Sequence, residues 1–330
     1  MDFALNSFFL ICGVGLLYFG ADILVRGAVA GATRLHISPL AVGLTVVAFG
    51  TSAPEIVVSL ASALQGHSAV AVGNVVGSNI INTAVILGLV AVFTPMAASK
   101  KVIFVDLPVM LFSYALLSLV LFGFFSPFRA GEVVRFEALL LLAVLIVYLF
   151  SVYVIASRKK NQSLAFEVEE VQEGQKYSNQ SWFVLALMVI GGGVFLAVGG
   201  EVLLRGAVWY AAEVFGVSQK VIGITIVALA TSFPELFTSV VAVIRKEHDI
   251  SLGNIIGSNI FNALAVLGIS AVISPIRAIE EVFSVDVVFM AATAVFLWLL
   301  FLWRGRIGRA TGIVFLASYV LYLVYVLGGV

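Results

Sequence analysis

The stretch GLTVVAFGTSAPEIVVS, residues 43–59, recurs 180 residues later as GITIVALATSFPELFTS, residues 223–239. A second pair keeps the same offset, with AVGNVVGSNIINTAVILG at 71–88 and SLGNIIGSNIFNALAVLG at 251–268. Chance does not align two long motifs at one offset. The chain therefore contains an internal duplication that spans most of its length.

The composition excludes an ordinary water-soluble globule. The 330 residues are 62% hydrophobic and 11% charged, whereas soluble domains are about 45–50% apolar and about 25% charged. Lys plus Arg equals Asp plus Glu, so no charge bias points to a nucleic-acid partner. Cys12 is alone, which excludes an intramolecular disulfide and a cysteine-based metal cluster. The expected environment is the lipid bilayer.

Apolar runs between polar breaks predict ten transmembrane helices. The predicted spans lie at residues 5–31, 39–64, 69–93, 102–124, 136–157, 182–212, 218–244, 250–273, 282–303 and 311–328. The longest polar stretch, 158–181, separates a first five-helix repeat at 1–157 from a second at 182–330. We interpret its acidic segment, Glu167–Glu173, as part of a solvated linker rather than a calcium sensor.

An odd number of spans in each repeat inverts the second copy relative to the first. The predicted fold class is therefore an all-α membrane protein with ten transmembrane helices in two inverted five-helix repeats. Twelve Lys and Arg residues fall in loops on one side and four on the other. Positive charge marks the cytoplasmic side, so we expect a multi-pass protein of the cell membrane with a cytoplasmic linker and both termini outside.

Two acidic residues lie near the middle of predicted spans. Glu55 and Glu235 occupy equivalent positions in the second and seventh spans. An ionisable side chain at the bilayer centre costs at least ~2.5–3.5 kcal/mol, so it is a functional candidate by default. The alternative is a protonated glutamate bonded to a neighbouring helix. The same costly residue at the same depth in both halves favours a functional role.

A proline precedes each of these glutamates. Pro54 and Pro234 have no N–H group and crowd the preceding helical turn. We expect the helix to break there, which frees main-chain carbonyls around residues 48–51 and 228–231 to face a cavity. The alternative is a merely bent helix whose hydroxyls bond back to their own turns. The hydroxyls concerned belong to Thr51, Ser52, Thr231 and Ser232.

The third and eighth spans carry polar side chains at every fourth position, which places each set on one helix face. The two sets are Asn74, Ser78 and Asn82, and Asn254, Ser258 and Asn262. The glycine pairs Gly73/Gly77 and Gly253/Gly257 are better explained by close helix packing. Other repeated charges, for which we favour structural roles, are Asp106, Asp286, Asp22, Glu201, Arg26 and Arg205.

These motifs supply only oxygen ligands, a set suited to calcium, sodium or magnesium. The three histidines, His36, His67 and His248, fall in predicted loops. Two carboxylates about 6 Å apart repel by roughly 3 kcal/mol at an effective dielectric near 20, so protons are expected competitors of the cations. The sequence offers no nucleophile–base pair and no phosphate-binding loop, so we expect neither an enzyme nor a resident cofactor.

The paired motifs, GTSAPE with GSNIIN and ATSFPE with GSNIFN, resemble those of the calcium/cation antiporter superfamily. The resemblance is greatest to its sodium/calcium exchangers, of the prokaryotic type, and it covers both halves of the chain. It implies ten helices in two inverted repeats with four central ion sites. It also implies that the first and sixth helices slide across the rest, and the glycine-rich runs 191–193 and 199–200 would fit that motion.

The resemblance also implies a ligand set. Calcium is held by Glu55 and Glu235, helped by the carbonyls of Thr51 and Thr231. Sodium ligands would come from Ala48, Ser52, Ser78, Asn82, Ala228, Ser232, Ser258 and Asn262. Two departures from the family matter. Asn262 stands where some members carry Asp, which indicates independence of potassium, and Ala230 replaces a Gly, which could stiffen the second break.

The leading hypothesis is an antiporter that exports calcium by alternating access, driven by the sodium gradient. The alternative is a proton/calcium exchanger, or one for another divalent cation, with the same fold. A passive channel would be built from rings of carboxylates, and an inverted repeat with broken helices is evidence against it. We expect calcium and sodium ions as the transported partners and a monomer as the working unit.

Overall fold

The computed structural model describes residues 2–125, 132–160, 177, 179–216, 226, 228–276 and 284–328. Nearly all of these residues are helical. The acidic segment Glu167–Glu173 lies outside the described residues, as do Arg129, Lys220 and Arg277, three of the four positive charges assigned to the outer side.

The α-helices are α1 (Asp2–Leu35), α2 (Pro39–Val42), α3 (Ala48–Thr51), α4 (Ala53–Leu64), α5 (Ser68–Ile80), α6 (Leu87–Phe93), α7 (Leu107–Leu121), α8 (Arg135–Lys160), α9 (Trp182–Trp209), α10 (Ala228–Thr231), α11 (Phe233–Ile244), α12 (His248–Phe261), α13 (Leu267–Ile273), α14 (Ser284–Arg304) and α15 (Arg309–Gly328). Short π-helical segments lie at Gly43–Val47, Ile81–Ile86, Val102–Asp106, Tyr210–Val214 and Asn262–Val266. Two short strands, β1 (Met96–Ala97) and β2 (Arg306–Ile307), pair antiparallel.

Eight helical segments of the described chain are long and apolar enough to cross a membrane. A ninth forms if Pro39–Thr51 and α4 count as one broken span. α11 is apolar but has only 12 residues, and most residues just before α10 lie outside the described ranges. The expectation of a multi-pass, all-α membrane protein is confirmed, while the count of ten helices remains a prediction.

The described helices form two compact units. One consists of Met1–Thr51 and Phe150–Asn254, and the other of Ser52–Leu149 and Ile255–Val330. Each unit therefore contains helices from both halves of the sequence. The repeats predicted from chain order, with their linker at 158–181, remain a prediction.

In the first unit, α1 and α9 pack antiparallel along two rows of glycines spaced seven residues apart. The rows are Gly13, Gly20 and Gly27 on α1, and Gly192, Gly199 and Gly206 on α9. A Cβ added to Gly20 would lie 2.9 Å from the Gly192 carbonyl oxygen, and one added to Gly192 would lie 2.7 Å from the Gly20 oxygen. A seven-residue period keeps one seam facing its partner, and small residues let the two backbones touch.

In the second unit, α6 and α15 meet at a similar close approach. A Cβ added to Gly88 would lie 3.2 Å from the carbonyl oxygen of Gly312. β1 follows α6 and β2 precedes α15, and the two strands pair with Met96 opposite Ile307. Both of these side chains are buried, at 1% exposure. The strands therefore fix the loop between α14 and α15.

The repeated charges outside the central motifs have structural partners, and the i,i+4 spacing predicts two of these pairs. Arg26 and Arg205 form i,i+4 ion pairs with Asp22 (3.0 Å) and Glu201 (2.9 Å). Asp106, which is fully buried, pairs with Lys101 at 3.1 Å. Asp286 accepts a hydrogen bond of 2.7 Å from the Tyr322 hydroxyl. Asp22 also pairs with Arg245 at 2.6 Å, a long-range contact that the spacing does not predict.

Replacing Gly192 with Ala tests the glycine seam. The added methyl group would collide with the α1 backbone, so we expect a loss of about 1–3 kcal/mol of stability, as for other overpacked sites. The measurement is the midpoint of thermal unfolding in detergent. Gly191→Ala is the matched control, because an added Cβ there meets no atom within 4 Å. An equal effect of both substitutions would contradict the seam.

Candidate functional site

Two helix breaks position the glutamates. Ser52 (φ −83°, ψ 3°) and Ser232 (φ −90°, ψ 6°) leave helical geometry, and a new helix begins at the next residue. Pro54 and Pro234 fall in the first turn of these new helices, where a missing N–H group removes no helical hydrogen bond. The predicted break at each proline is confirmed.

The breaks place both glutamates at helix N-termini. Glu55 lies in the first turn of α4 and Glu235 in the first turn of α11. Both side chains are completely buried. The N-terminus of a helix carries a partial positive charge that favours a carboxylate. The broken helix thus offsets part of the cost of burying each acidic group.

In the second unit, an asparagine anchors the helix that carries Glu55. The Asn74 side-chain amide donates to the main-chain carbonyl of Glu55 at 3.3 Å and to the Ser59 hydroxyl at 2.8 Å. The Ser59 hydroxyl in turn donates to the carbonyl of Ala71 at 3.4 Å. These bonds join the first two turns of α4 to α5.

In the first unit, the same arrangement surrounds Glu235. The Asn254 amide donates to the main-chain carbonyl of Glu235 at 3.4 Å and to the Ser239 hydroxyl at 3.0 Å. Its oxygen accepts a hydrogen bond of 3.1 Å from the Thr51 hydroxyl, at the end of α3. Asn254 therefore ties the helix of Glu235 to the first-half break.

Sequence reasoning placed Asn74 and Asn254 on a polar helix face but did not identify this anchoring role. It also did not single out Ser59 and Ser239 as their partners. The signal was present, because all four residues lie inside the duplicated stretches at the 180-residue offset. What the sequence did not reveal is that the partner is a main-chain carbonyl.

α9 passes close to both breaks. A Cβ added to Gly200 would lie 3.6 Å from the carbonyl oxygen of Ala230, and one added to Gly193 would lie 4.0 Å from that of Gly50. These two glycines lie next to Gly192 and Gly199, which contact α1. The glycine-rich runs thus let α9 touch α1 with one row and approach the broken segments with the other.

In the second unit, four other predicted polar residues are buried, two of them in the first residues of π-helical segments and two about one turn earlier. Ser78, Asn82, Ser258 and Asn262 are at most 1% exposed. The π-helical segments begin at Ile81 and Asn262, and such turns are frequent at functional sites.

Neither the oxygen nor the nitrogen of the Asn82 and Asn262 side-chain amides has a hydrogen-bond partner within the described part of the chain. The hydroxyl of Ser78 also lacks a partner there. A buried polar atom without a partner costs about 1–3 kcal/mol. A bound cation would satisfy the amide and hydroxyl oxygens.

The asparagine that directly follows Ser78, and the one that directly follows Ser258, have a different role. The Asn259 amide donates to the Thr83 hydroxyl at 3.0 Å and contacts the Met110 sulfur at 3.5 Å. Asn79, its equivalent, contacts the Met290 sulfur at 3.7 Å. Asn79 and Asn259 therefore contact neighbouring helical segments of the second unit, unlike Asn82 and Asn262.

The predicted site residues divide between the two units. The first unit contains Ala48, Thr51, Ala228, Thr231, Ser232 and Glu235, and the second contains Ser52, Glu55, Ser78, Asn82, Ser258 and Asn262. Ala48, Thr51, Ser52 and Ser232 are buried, and Thr231 is partly exposed. The described residues contain no group of three or more His, Cys, Asp or Glu that could hold a metal. Besides the two carboxylates, these residues offer hydroxyl, amide and carbonyl oxygens, which hard cations accept as ligands.

Comparison with known proteins gives a consistent result. Residues 5–154 and 184–328 match the family described as "Sodium/calcium exchanger protein". Sodium/calcium exchanger MaX1 of Methanosarcina acetivorans is 31% identical, with 97% of each chain covered. Inner membrane protein YrbG of Escherichia coli is 33% identical, over 95% of this chain and 94% of that protein.

The fold is similar to that of the sodium-calcium exchanger NCX_Mj. A solved structure of that protein superposes with a TM-score of 0.78 and 28% identity, covering 97% of this chain and 98% of the other. Family, relatives and fold agree across both halves of the sequence. The chain therefore belongs to the sodium/calcium exchanger family of membrane antiporters.

Proposed function

We propose that this protein exports calcium across the cell membrane in exchange for sodium, by alternating access. The observation that carries the proposal is the pair of buried glutamates, Glu55 and Glu235, each at the start of a helix that follows a break. The relative MaX1 is named a sodium/calcium exchanger, and the NCX_Mj structures concern exchange of the same ions.

The charge of the two carboxylates determines how calcium, sodium and protons compete. Their two negative charges are balanced by one calcium ion or by two sodium ions. Calcium and sodium therefore compete for the same pair of charges, and protons compete with both. Because positions 82 and 262 are both asparagine, the proposed site has no third carboxylate. This favours a transport cycle that is independent of potassium.

We assign calcium to Glu55, Glu235 and the carbonyls of Thr51 and Thr231. The proposed sodium ligands are Ala48, Ser52, Ser78, Asn82, Ala228, Ser232, Ser258 and Asn262. The burial of every polar member except Thr231, and the unsatisfied amides of Asn82 and Asn262, support this assignment. Calcium and sodium both accept such neutral oxygen ligands beside carboxylates.

The proposed architecture has ten membrane helices in two inverted repeats, at 1–157 and 182–330, joined by a cytoplasmic linker at 158–181. Both termini lie outside, and the working unit is a monomer. Two observations support the repeats. The motifs recur at one offset, and Asn74 and Asn254 make equivalent bonds to the glutamate helices.

Glu55→Gln and Glu235→Gln test the transport site directly. Each substitution removes one of the two charges that hold calcium, so we expect sodium-driven calcium uptake to be abolished. The measurement is calcium uptake by reconstituted vesicles loaded with sodium and diluted into sodium-free buffer.

Glu201→Gln is the matched control, because Glu201 is 57% exposed and paired with Arg205. It should transport at the wild-type rate. Uptake that ignores the sodium gradient, or that a pH gradient alone drives at the same rate, would overturn the proposed coupling.

Asn254→Ala tests whether this asparagine positions Glu235. Losing two hydrogen bonds to α11, each worth about 0.5–1.5 kcal/mol, should let the helix of Glu235 shift. We expect the KM for calcium to rise about tenfold if roughly 1.4 kcal/mol of the lost energy falls on binding. The measurement is the KM and maximal rate of calcium uptake per folded protein.

Asn79→Ala is the matched control, because Asn79 is an equally buried asparagine that bonds away from the glutamates. We expect it to lower thermal stability and leave the KM unchanged. A merely structural Asn254 would behave in the same way, so equal KM values for the two variants would contradict the positioning role.

A further inference from the structure

A cavity of about 570 Å³ lies in the second unit, where α14 ends and α15 begins. Three of its lining residues are arginines within a span of six positions, Arg304, Arg306 and Arg309. None of them belongs to the duplicated motifs or to the proposed transport site. The cavity is therefore a separate, positively charged feature of the fold.

In the part of the chain that the structure describes, the arginines of this cavity have no acidic partner. Arg304 instead lies over the ring of Trp303, 4.5 Å from its centroid. By contrast, Lys101 and Arg245 have acidic partners on the described chain. The cavity therefore favours an anionic ligand.

The backbone of the loop is fixed and adds to the positive potential. Gly305 adopts a left-handed conformation (φ +64°), and Arg306 is held opposite Ala97 by the β1–β2 pairing. α15 begins at Arg309, directly after Gly308, which has no side chain to cap it. The first N–H groups of a helix have no partner within it and carry a partial positive charge. Arg309, Ala310 and Thr311, in that first turn, line the cavity.

Exposed apolar side chains lie within two residues, in sequence, of residues that line the cavity. Trp303 is 75% exposed, Phe93 is 68% exposed and Ile313 is 58% exposed. Tryptophan is enriched where a membrane helix meets the headgroup region. Trp303 directly precedes Arg304, which lines the cavity. The charge of an anion bound here would lie against the arginines, and an apolar part of the same ligand could contact these exposed side chains.

We propose that this cavity binds the phosphate headgroup of an anionic phospholipid. The arginines and the first turn of α15 would hold the phosphate, and the acyl chains would lie along the exposed apolar side chains. In the orientation proposed above, the cavity faces the cytoplasmic leaflet, where basic pockets recognise anionic lipids. The apolar border selects a lipid over a free phosphate ion, which gains nothing from it.

Native mass spectrometry of the full chain tests this site. The protein is released from detergent after incubation with an equimolar mixture of phosphatidylglycerol and phosphatidylcholine. We expect adducts of phosphatidylglycerol to dominate. The double variant Arg306→Gln with Arg309→Gln should reduce them about thirtyfold. Each basic residue near such a lipid contributes about 1 kcal/mol, and about 1.4 kcal/mol is a factor of ten.

The matched control is the double variant Arg34→Gln with Lys246→Gln. It removes the same charge from residues that we assign to the same membrane side but that do not line this cavity. This control should retain the adducts. Thermal unfolding of both double variants checks that each of them folds. Equal loss in both variants would overturn the site. Competition by millimolar inorganic phosphate that removes the lipid completely would assign the cavity to a free anion instead.

Discussion

The fold of this protein is constrained by the complete burial of two carboxylates. Glu55 and Glu235 are wholly buried, and a carboxylate in such surroundings is stable only where other groups compensate its charge. The protein contributes part of this compensation by breaking a helix just before each glutamate, so that the carboxylate lies at a new helix N-terminus. Cations of the kind that the family exchanges supply the remainder in the proposed function. The breaks, the anchors and the unsatisfied amides all follow from this requirement.

The duplication uses one residue type for two purposes. Asn74 and Asn254 bond to the main-chain carbonyls of the glutamates and so fix the helices that carry them. Asn82 and Asn262 are equally buried, but no side chain or carbonyl of the described chain satisfies their amides. The same helix face thus holds a supporting amide and, two turns further on, an amide suited to a ligand. This division explains why the polar faces of α5 and α12 are longer than ion binding alone requires.

What the sequence predicts well is local. Pro54 cannot donate an N–H group inside a continuous helix, so a new helix begins just before it. The Asp22–Arg26 pair follows from one turn of helix. The membrane class follows from composition. What it predicts poorly depends on partners distant in sequence, such as the bond from Asn254 to Thr51, 203 residues away. The order of the helices along the chain does not reveal that each unit combines helices from both halves. The sequence shows the glycines but not which helix they pack against.

The glycine seam has a mechanical consequence. Gly20 lies against the Leu196 backbone and the Phe195 Cβ of α9, and Gly192 lies against the backbone and Cβ of Leu24 on α1. The pattern repeats every seven residues, and the next matching register lies about 10 Å further along the axis. A smaller displacement would replace these glycines at the contact with larger residues. The two helices are therefore locked in register and form one rigid pair.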